Sequence, residues 1–406
     1  MDSYAYDFVK SISFNRVAGS PEEAKAAKMI IAEVEKLGGT AEEMEFEIPD
    51  FITHKCSASA LGKELEVKPY GHSGNITADL KLLYLDSFSD AALKGIKDLS
   101  GTCVMINKLD KKNYSILVQM HASAFMVISG KWYNDDSTED LTARDLRERY
   151  LKIGKIPGFV IRSKDAMYLL KNECESIHVE LETEDTKGIS RDVIAVIEGT
   201  EIPDESVVFT CHMDSVTVGT GSWDNATGCA ALLYLYRYYK EHAPKRTLRF
   251  VWNGAEEIGL LGSLAYVEKN EDLISQMRFV FNFDMNGTVF GPNLTFITGN
   301  DDLVNYYDGL CKEYGYATDK HVCVHSSDSA PFAAKGIPSL GISRGGMEFL
   351  SFHTRYDVMD FLSAKEMNKN MAFAAFVSER FVNSAVFPIA RGFNEKLQKE
   401  TAEYFE

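Results

Sequence analysis

Long hydrophobic runs, a basic leader and paired cysteine motifs are all missing from this sequence of 406 residues. The longest apolar run of note, CAALLYLY at 229–236, is far shorter than the roughly 20 residues that a membrane-spanning helix needs. The N-terminal MDSYAYDFVKSISF lacks a basic start followed by an apolar stretch, so no signal peptide is recognisable. The sequence therefore predicts a cytoplasmic protein without a membrane span.

Cysteine usage and charge exclude further classes. The seven cysteines form no CxxC pair and are odd in number, which favours reduced thiols over a disulfide framework. A net charge of −17 is unsuited to phosphate backbones and anionic lipid, so nucleic acid and membranes are not expected as partners. The composition, 45% hydrophobic and 25% charged, is that of a globular protein. Its length predicts two domains, because single cores rarely grow beyond roughly 250–300 residues.

The first half of the chain contains two regions with different patterns of predicted secondary structure. Residues 3–12 and 21–38 have helical periodicity, and the second segment opens with Ser20-Pro21-Glu22-Glu23, a capping box with proline at the first helical position. Residues 40–48 alternate like a strand. From about 51 to 188, short strands and short helices are interleaved. We therefore predict a catalytic domain formed by 1–50 and 189–406 and a smaller inserted α+β domain at 51–188.

Strand patterns alternate with helix patterns from about residue 189. The strand patterns are DVIAVIEGT, SVVFTCHMD, TLRFVWNG, RFVFNFDMNG and NLTFITG, and each is an apolar run that ends in polar residues. Residues 363–382 predict a long amphipathic closing helix. This alternation is typical of an α/β fold in which helices flank a mixed central sheet. Ligands of such sheets bind beyond the carboxyl ends of the strands.

The candidate functional residues lie at those strand ends or in the loops that follow. They are His212 and Asp214 in TCHMDS, Asp224 in SWDNATG, Glu256 and Glu257 in NGAEEIG, Asp284 in NFDMNG and His353 in FHTRYD. Imidazole and carboxylate without thiolate suit zinc, with manganese or cobalt as substitutes. The pattern therefore predicts a metal site beyond the sheet.

Charge favours two metal ions over one. A single divalent ion among Asp224, Glu257 and Asp284 would leave surplus negative charge in a poorly solvated cleft. Two divalent ions balance three carboxylates and a bridging hydroxide. We predict that His212 and Asp284 bind one zinc. Glu257 and His353 bind the other, and Asp224 bridges the two ions, which would lie roughly 3.5–4 Å apart.

The adjacent glutamates can divide two tasks, because successive side chains point in different directions. Glu257 is predicted to bind metal, while Glu256 takes a proton from the bridging water and passes it to the leaving amine. Asp214 lies two residues past His212 on the same strand face. It is predicted to accept the second N–H of that imidazole and to fix its tautomer.

These motifs together resemble the dinuclear zinc exopeptidases, which include bacterial leucyl-type aminopeptidases, glutamate carboxypeptidase II and the transferrin receptor. The matching order is His-x-Asp, Asp-Asn, Glu-Glu, Asp and His-Thr-x-x-Asp, and the resemblance covers about 20–50 and 190–385. RVAGSPEEAKAAKMI and SSDSAPFAAKGIP also match characteristic stretches. The resemblance implies an aminopeptidase that releases N-terminal residues from peptides, with the five ligands and the general base named above. It further implies a three-layer sandwich, a protease-associated domain at 51–188 and a cis Asp224–Asn225 peptide.

Three positions depart from the family pattern. Trp223 precedes the bridging aspartate where relatives have a small residue, Ser329 replaces the histidine of SDH, and Val358 replaces the last threonine of HTxxDT. Such changes concern pocket shape rather than the metal set. Trp223, Phe349 and Phe352 could line a specificity pocket or pack beneath the site.

Several alternatives stay open. A carboxypeptidase would hold a terminal carboxylate with Arg344 or Arg355, a glutaminyl cyclase-like acyltransferase would use one zinc, and a receptor-like binding protein would not catalyse. GISRG at 341–345 fits the GxSxG pattern of serine hydrolases, with Ser343 as nucleophile. Each acid alone could be a helix cap, a turn residue or a helix N-terminal acid. The sequence leaves self-association open, and it predicts structural or surface roles for His54, His72, His121, His178, His242, His321 and His325.

Overall fold

The computed structural model describes residues 3–130, 141–346 and 351–405. The chain divides into two compact units. The larger unit comprises Met1–Ile48 and Ile189–Glu406, and the smaller unit comprises Pro49–Gly188. Among the described residues, no helix combines the length and the apolar character that crossing a bilayer requires.

Strands and helices are numbered here in chain order. The strands are β1 (Ala41–Ala60), β2 (Lys63–Leu65), β3 (Val67–Gly71), β4 (Ile76–Leu85), β5 (Thr102–Ile106), β6 (Ala124–Ser129), β7 (Arg144–Asp145), β8 (Gly158–Arg162), β9 (Ser176–Ile197), β10 (Ile202–His212), β11 (Arg246–Asn253), β12 (Met277–Phe283), β13 (Asn293–Thr298), β14 (Asp319–Val322) and β15 (Ser339–Arg344). The helices are α1 (Tyr4–Ile12), α2 (Pro21–Lys36), α3 (Lys111–Gln119), α4 (Glu148–Leu151), α5 (Ser163–Lys171), α6 (Thr227–Glu241), α7 (Leu261–Lys269), α8 (Asp301–Tyr314), α9 (Ala330–Ala334), α10 (Ala364–Val382) and α11 (Glu395–Phe405).

The sheet of the larger unit has the strand order β14-β13-β15-β12-β10-β11-β9. β10 pairs in parallel with β11 and β12, and β12 pairs in parallel with β15. β9 is antiparallel to β11 and β13 is antiparallel to β15, so the mixed sheet predicted from the sequence is confirmed. Because β10, β11 and β12 run in the same direction, their carboxyl ends meet at one edge of the sheet.

Apolar side chains cover both faces of this sheet. Along β10, Val207 and Phe209 belong to a core shared with α1, α2, α6 and α10, whereas Val208 between them packs on the opposite face with α7 and α9. Phe209 stacks between Phe250 and Phe281, with ring centroids 4.9 and 5.3 Å away. Burying each such ring stabilises the fold by roughly 1.5–3 kcal/mol. The result is the expected arrangement of helices, sheet and helices.

The predicted helices lie where their caps indicate. The hydroxyl of Ser20, the N-cap of α2, accepts the backbone N–H of Glu23 at 3.1 Å. The Glu23 carboxylate does not close the box on Ser20 as expected but accepts the N–H of Gly19 at 2.8 Å. Ser363 caps α10 in the same way, accepting from Glu366. Both helices are amphipathic and bury one face against the sheet.

In the smaller unit the strands are hydrogen-bonded in the order β9-β4-β5-β6-β8-β3-β7, with residues 176–181 of β9 paired to β4. β4, β5, β6 and β8 are parallel, while β9 and β3 pair antiparallel with β4 and β8. Alternate residues again serve two cores, since Phe125 packs on one face and Met126 on the other. β1, predicted only for 40–48, continues to Ala60; it pairs with β9 and, through Ala58–Ala60, with β2.

Candidate metal centre

The parallel strands deliver four of the predicted residues to one edge. His212 is the last residue of β10 and lies opposite Asn253, the last residue of β11. Glu256 and Glu257 follow β11, and Asp284 follows β12 directly. The sheet geometry thus brings together residues that are up to about 70 positions apart in the chain.

Two loops supply the other predicted ligands. Asp224 lies in the turn Ser222–Ala226 that precedes α6, and its peptide bond to Asn225 is cis, as the family resemblance implies. Asn225 fixes this turn, because its side chain donates to Phe283 O at 2.9 Å and accepts from Gly228 N at 2.8 Å. His353 comes from the loop before α10 and has a positive φ of 56°.

The side chains form two groups that share Asp224. In the first, His212 Nε2 lies 3.1 Å from Asp224 Oδ1 and 3.5 Å from Asp284 Oδ1. In the second, His353 Nε2 lies 3.3 Å from Asp224 Oδ2 and 3.0 Å from Glu257 Oε2. Each oxygen of Asp224 therefore faces a different histidine, and all five predicted ligands lie together.

These donors fit a metal ion. Ligand atoms of His212, Asp224 and Glu257 lie within 4.8 Å of one another. Asp284 Oδ1 is buried and accepts no hydrogen bond from any residue of the described ranges. Buried carboxylate oxygens normally have a partner, so an atom of this kind aimed into a ring of imidazoles and carboxylates suits a cation. The mixture of nitrogen and oxygen donors is the one that zinc accepts.

The carboxylates of the site give it a surplus of negative charge. Burial alone would lower the pKa of both histidines. The neighbouring carboxylates, with Glu256 the largest contributor, instead raise the pKa of His212 well above its usual value. Asp224 and Glu257 raise the pKa of His353 to about 10. Burial, followed by the nearby Asp224, raises the pKa of Glu257 to about 7. A buried cluster of carboxylates and imidazoles of this kind retains protons or binds cations.

Asp214 lies behind the adjacent glutamates rather than among the ligands. It is fully buried, and its two oxygens accept the backbone N–H groups of Glu256 at 3.1 Å and Glu257 at 3.2 Å. Its Oδ1 is 3.5 Å from His212 Nδ1, longer than a normal hydrogen bond. Asp214 thus fixes the backbone of both glutamates, a role that sequence reasoning missed, as well as facing the imidazole.

Other residues that hold the ligands were also missed. Asp357, four residues after His353, accepts the backbone N–H groups of Trp223 at 2.7 Å and Asp224 at 3.0 Å. Ser327 donates to Asp284 Oδ2 at 2.8 Å. The motifs HTRYD and SSDS contain these two residues, so the signal was present in the sequence, but it does not reveal which backbone groups they contact.

The helix-cap explanation for Asp224 and the helix N-terminal explanation for the two glutamates do not apply. α6 has Ala226 as its N-cap, whereas the Asp224 carboxylate faces the two histidines. α7 begins only at Leu261, after both glutamates. The serine hydrolase pattern also fails, because Ser343 lies within strand β15 and its hydroxyl donates to Met285 O at 2.9 Å. A nucleophile elbow requires an exposed serine at a strand-to-helix turn.

The other candidate residues contact neighbouring groups of the protein. The Arg344 guanidinium donates to Thr288 O at 2.8 Å and Asn293 Oδ1 at 3.0 Å. Trp223 is buried and donates from its indole to Arg344 O at 3.2 Å, so it packs beneath the site. Phe352 is 37% exposed and stacks on the His353 ring. Phe349 lies outside the described residues.

The remaining histidines make contacts away from the ligand groups. Acidic side chains lie beside His54, His72, His121 and His178; His242 contacts Tyr238 O; His321 and His325 stack on Phe296. Each contact is consistent with the structural or surface role predicted for these residues.

Comparison with known proteins identifies relatives of this chain. The sequence model of peptidase family M28 matches residues 192–377. Aminopeptidase YwaD of Bacillus subtilis (strain 168) is 25% identical over 388 residues, which cover 90% of this chain and 82% of that protein. The structure of BSAP, a zinc aminopeptidase from Bacillus subtilis, has a TM-score of 0.78 at 21% identity, covering 97% of this chain and 98% of its own. An aminopeptidase from Aneurinibacillus sp. strain AM-1 has a TM-score of 0.77 at 21% identity, covering 96% and 95%. The family whose model matches residues 192–377 is a group of dinuclear zinc exopeptidases, and this chain is similar to it over that range.

Proposed function

We propose that this protein is a zinc-dependent aminopeptidase that hydrolyses the peptide bond following the N-terminal residue of its substrate. The observation that carries the proposal is the pair of ligand groups sharing Asp224, each with one histidine and one further carboxylate. The match of residues 192–377 to the model of peptidase family M28 supports the reaction class. Relatives that are named aminopeptidases support cleavage at the N-terminal end of the substrate.

Two ions fit the arrangement better than one. His212 and Asp284 would hold the first ion, Glu257 and His353 would hold the second, and Asp224 would offer one oxygen to each. Two divalent cations balance these three carboxylates and one hydroxide, whereas a single cation leaves buried negative charge. Zinc is the proposed resident ion, and manganese or cobalt are proposed substitutes because they accept the same donors. Bound zinc supplies Lewis acidity and lowers the pKa of water to near neutrality.

The residues of the chain divide the proton transfers. Glu257 faces His353, so Glu256 is the acid left to receive a proton from water and return it to the leaving amine. Asp214 holds both residues in register through their backbone N–H groups. One carboxylate thereby keeps the base and the ligand at a constant separation. This is the reason for two glutamates side by side after β11.

Charge favours an aminopeptidase over a carboxypeptidase. A carboxypeptidase needs a cation to bind the terminal carboxylate, usually as a bidentate pair. Arg344, one of the two arginines considered for this task beside Arg355, instead uses its guanidinium on Thr288 O, Asn293 Oδ1 and the Glu366 carboxylate, 3.5 Å away.

Three finer assignments belong to the same proposal. The smaller unit, Pro49–Gly188, is proposed to be a protease-associated domain on the strength of its place in the chain. A cytoplasmic location is proposed because seven cysteines without a CxxC pair favour reduced thiols. Peptides are the proposed partners, nucleic acid is not expected, and the sequence leaves homo-oligomers open.

The test combines metal analysis with assays on substrates whose amino or carboxyl end is free or blocked. We assay the purified protein as isolated, after chelation, and after zinc has been added back. The substrates are an aminoacyl amide, the same compound with its amine acetylated, and peptides with free or amidated carboxyl ends. We expect about two zinc ions per chain, loss of turnover on chelation and recovery with zinc. Acetylation should abolish turnover and amidation should not.

Other outcomes identify the rivals. Turnover that needs a free carboxylate indicates a carboxypeptidase, and cyclisation of N-terminal glutamine with one zinc indicates a cyclase-like acyltransferase. Turnover that resists chelation, with fluorophosphonate labelling of Ser343, indicates a serine hydrolase. Protein that neither binds zinc nor turns over any substrate indicates a binding protein.

A further inference from the structure

Arg16 is a fully buried arginine between α1 and α2 that donates to five backbone carbonyl groups. Three of these carbonyls belong to distant segments: Met213 O at 2.7 Å, Thr220 O at 2.8 Å and Gly221 O at 2.8 Å. The other two, Ile12 O and Phe14 O, lie just upstream of Arg16 itself. One planar guanidinium therefore joins three stretches of backbone.

The distant carbonyls flank the metal centre. Met213 lies between His212, a proposed ligand, and Asp214, which holds Glu256 and Glu257. Thr220 and Gly221 lead into the turn that carries Asp224. The backbone of Arg16 reinforces the first link, because its N–H donates to Ser215 Oγ at 2.9 Å and its carbonyl accepts from Ser215 N at 3.1 Å.

The packing around the guanidinium allows little displacement. Gly221 has a φ of +54°, and a methyl group placed there would lie 2.9 Å from Arg16 Nη2 and 2.6 Å from Ser215 Cβ. On the far side of the turn, Asp357 accepts the N–H groups of Trp223 and Asp224. The Asp224 turn is thus held by a buried arginine on one side and by a buried carboxylate on the other.

We propose that Arg16 is a positioning residue that sets the separation between the His212–Asp214 segment and the Asp224 turn, and thereby the affinity of the site for zinc. This inference rests on the proposed function. Lysine cannot replace Arg16, because a single ammonium cannot reach carbonyls spread around a planar fork of five donors. Residues that support metal ligands typically contribute about 10- to 100-fold to metal affinity or activity.

A matched control exists in Arg246. It is likewise buried, at 1% exposure, and donates to the backbone carbonyls of Val382 and Ser384, while its Nε pairs with Glu205 at 2.7 Å. Arg246 is the first residue of β11, so it lies at the strand end opposite to the one that precedes Glu256. If zinc affinity depended on packing in general, substitution of either arginine should lower it. If it depends on the placement of the ligands, only substitution of Arg16 should lower it.

The experiment compares Arg16→Lys, Arg246→Lys and Ser215→Ala with the wild type. Zinc affinity is measured by competition with a chromogenic chelator, unfolding temperature is measured on metal-free protein, and the absorption of bound cobalt reports ligand geometry. Arg16→Lys should bind zinc about 10- to 100-fold more weakly, with an altered cobalt spectrum and a lower kcat at similar KM. Arg246→Lys should lower the unfolding temperature and leave zinc affinity unchanged. Ser215→Ala, the milder variant, should shift affinity in the same direction by a smaller factor.

The outcomes separate this inference from the proposed function. Wild type that binds zinc and hydrolyses aminoacyl amides, with zinc affinity of Arg16→Lys within about twofold, overturns the role of Arg16 alone. Equal affinity losses in the Arg16 and Arg246 variants also overturn it, since the effect would then be general. If Arg16→Lys does not fold, an unchanged affinity in Ser215→Ala overturns the role. Wild type that binds no zinc overturns both proposals.

Discussion

Replacing Glu256 with glutamine should stop turnover and leave the metal content intact. The substitution keeps the shape of the side chain and the backbone N–H that Asp214 accepts at 3.1 Å, but it removes the group that can take a proton. The two ligand groups around Asp224 contain Glu257 and not Glu256. Loss of a general base costs about 10²–10⁴-fold in rate. That factor corresponds to about 2.7–5.4 kcal/mol of transition-state stabilisation at 1.36 kcal/mol per tenfold.

The assay measures kcat and KM on an aminoacyl chromogenic amide alongside zinc content after dialysis. Glu257→Gln is the matched variant, since its N–H is also held by Asp214, at 3.2 Å, while its carboxylate contacts His353 Nε2 at 3.0 Å. This second variant should lose about one zinc ion per chain together with activity. A Glu256→Gln enzyme with near wild-type kcat would refute the assignment of the base. Zinc loss in Glu256→Gln equal to that in Glu257→Gln would show that both glutamates are ligands.

Two further substitutions test the surroundings of the site. Asp214→Asn leaves one acceptor oxygen for two backbone N–H groups in a fully buried position. We therefore expect kcat, measured at saturating zinc, to fall about 10- to 100-fold. An unchanged kcat would show that Asp214 does not support the site. Arg344→Met should lower the free energy of unfolding by roughly 1–3 kcal/mol in denaturant titrations, because Thr288 O and Asn293 Oδ1 lose a buried donor. The ratio of KM values for free and amidated peptides should not change in Arg344→Met, and a selective rise for free carboxylates would instead make Arg344 a substrate-binding residue.

The sequence predicted the metal donors because the fold places them by a simple rule. His212, Glu257 and Asp284 each end or follow a parallel strand, and such strand ends share one edge of the sheet. The apolar runs of β10, β11 and β12 are legible from their side chains alone. The polar residues that follow them could therefore be assigned to a common place without knowing the strand order.

Strand pairing was predictable only in part, because periodicity describes one segment at a time. β1 was recognised for its alternating start but continues for 20 residues, and its partner strands are β9 and β2. The direction of β13 relative to β15 depends on the chain path through α8 and β14, which apolar patterns do not encode. Mixed character could be predicted for the sheet, but the order of its strands could not.

The backbone contacts of the supporting residues escaped prediction for a different physical reason. Arg16, Asp357 and Asp214 act on backbone N–H and carbonyl groups, which every residue carries and which leave no trace in the sequence of the partner. Arg16 contacts Met213 across 197 positions and Asp357 contacts Trp223 across 134. The chemistry of the ion limits which residue types can be ligands, so a ligand can be recognised in the sequence from its residue type. A residue that holds a loop by its backbone is constrained by shape and charge together, and only the folded chain shows which loop it holds. Substitutions at such positions should therefore alter metal affinity while every recognisable motif of the site remains intact.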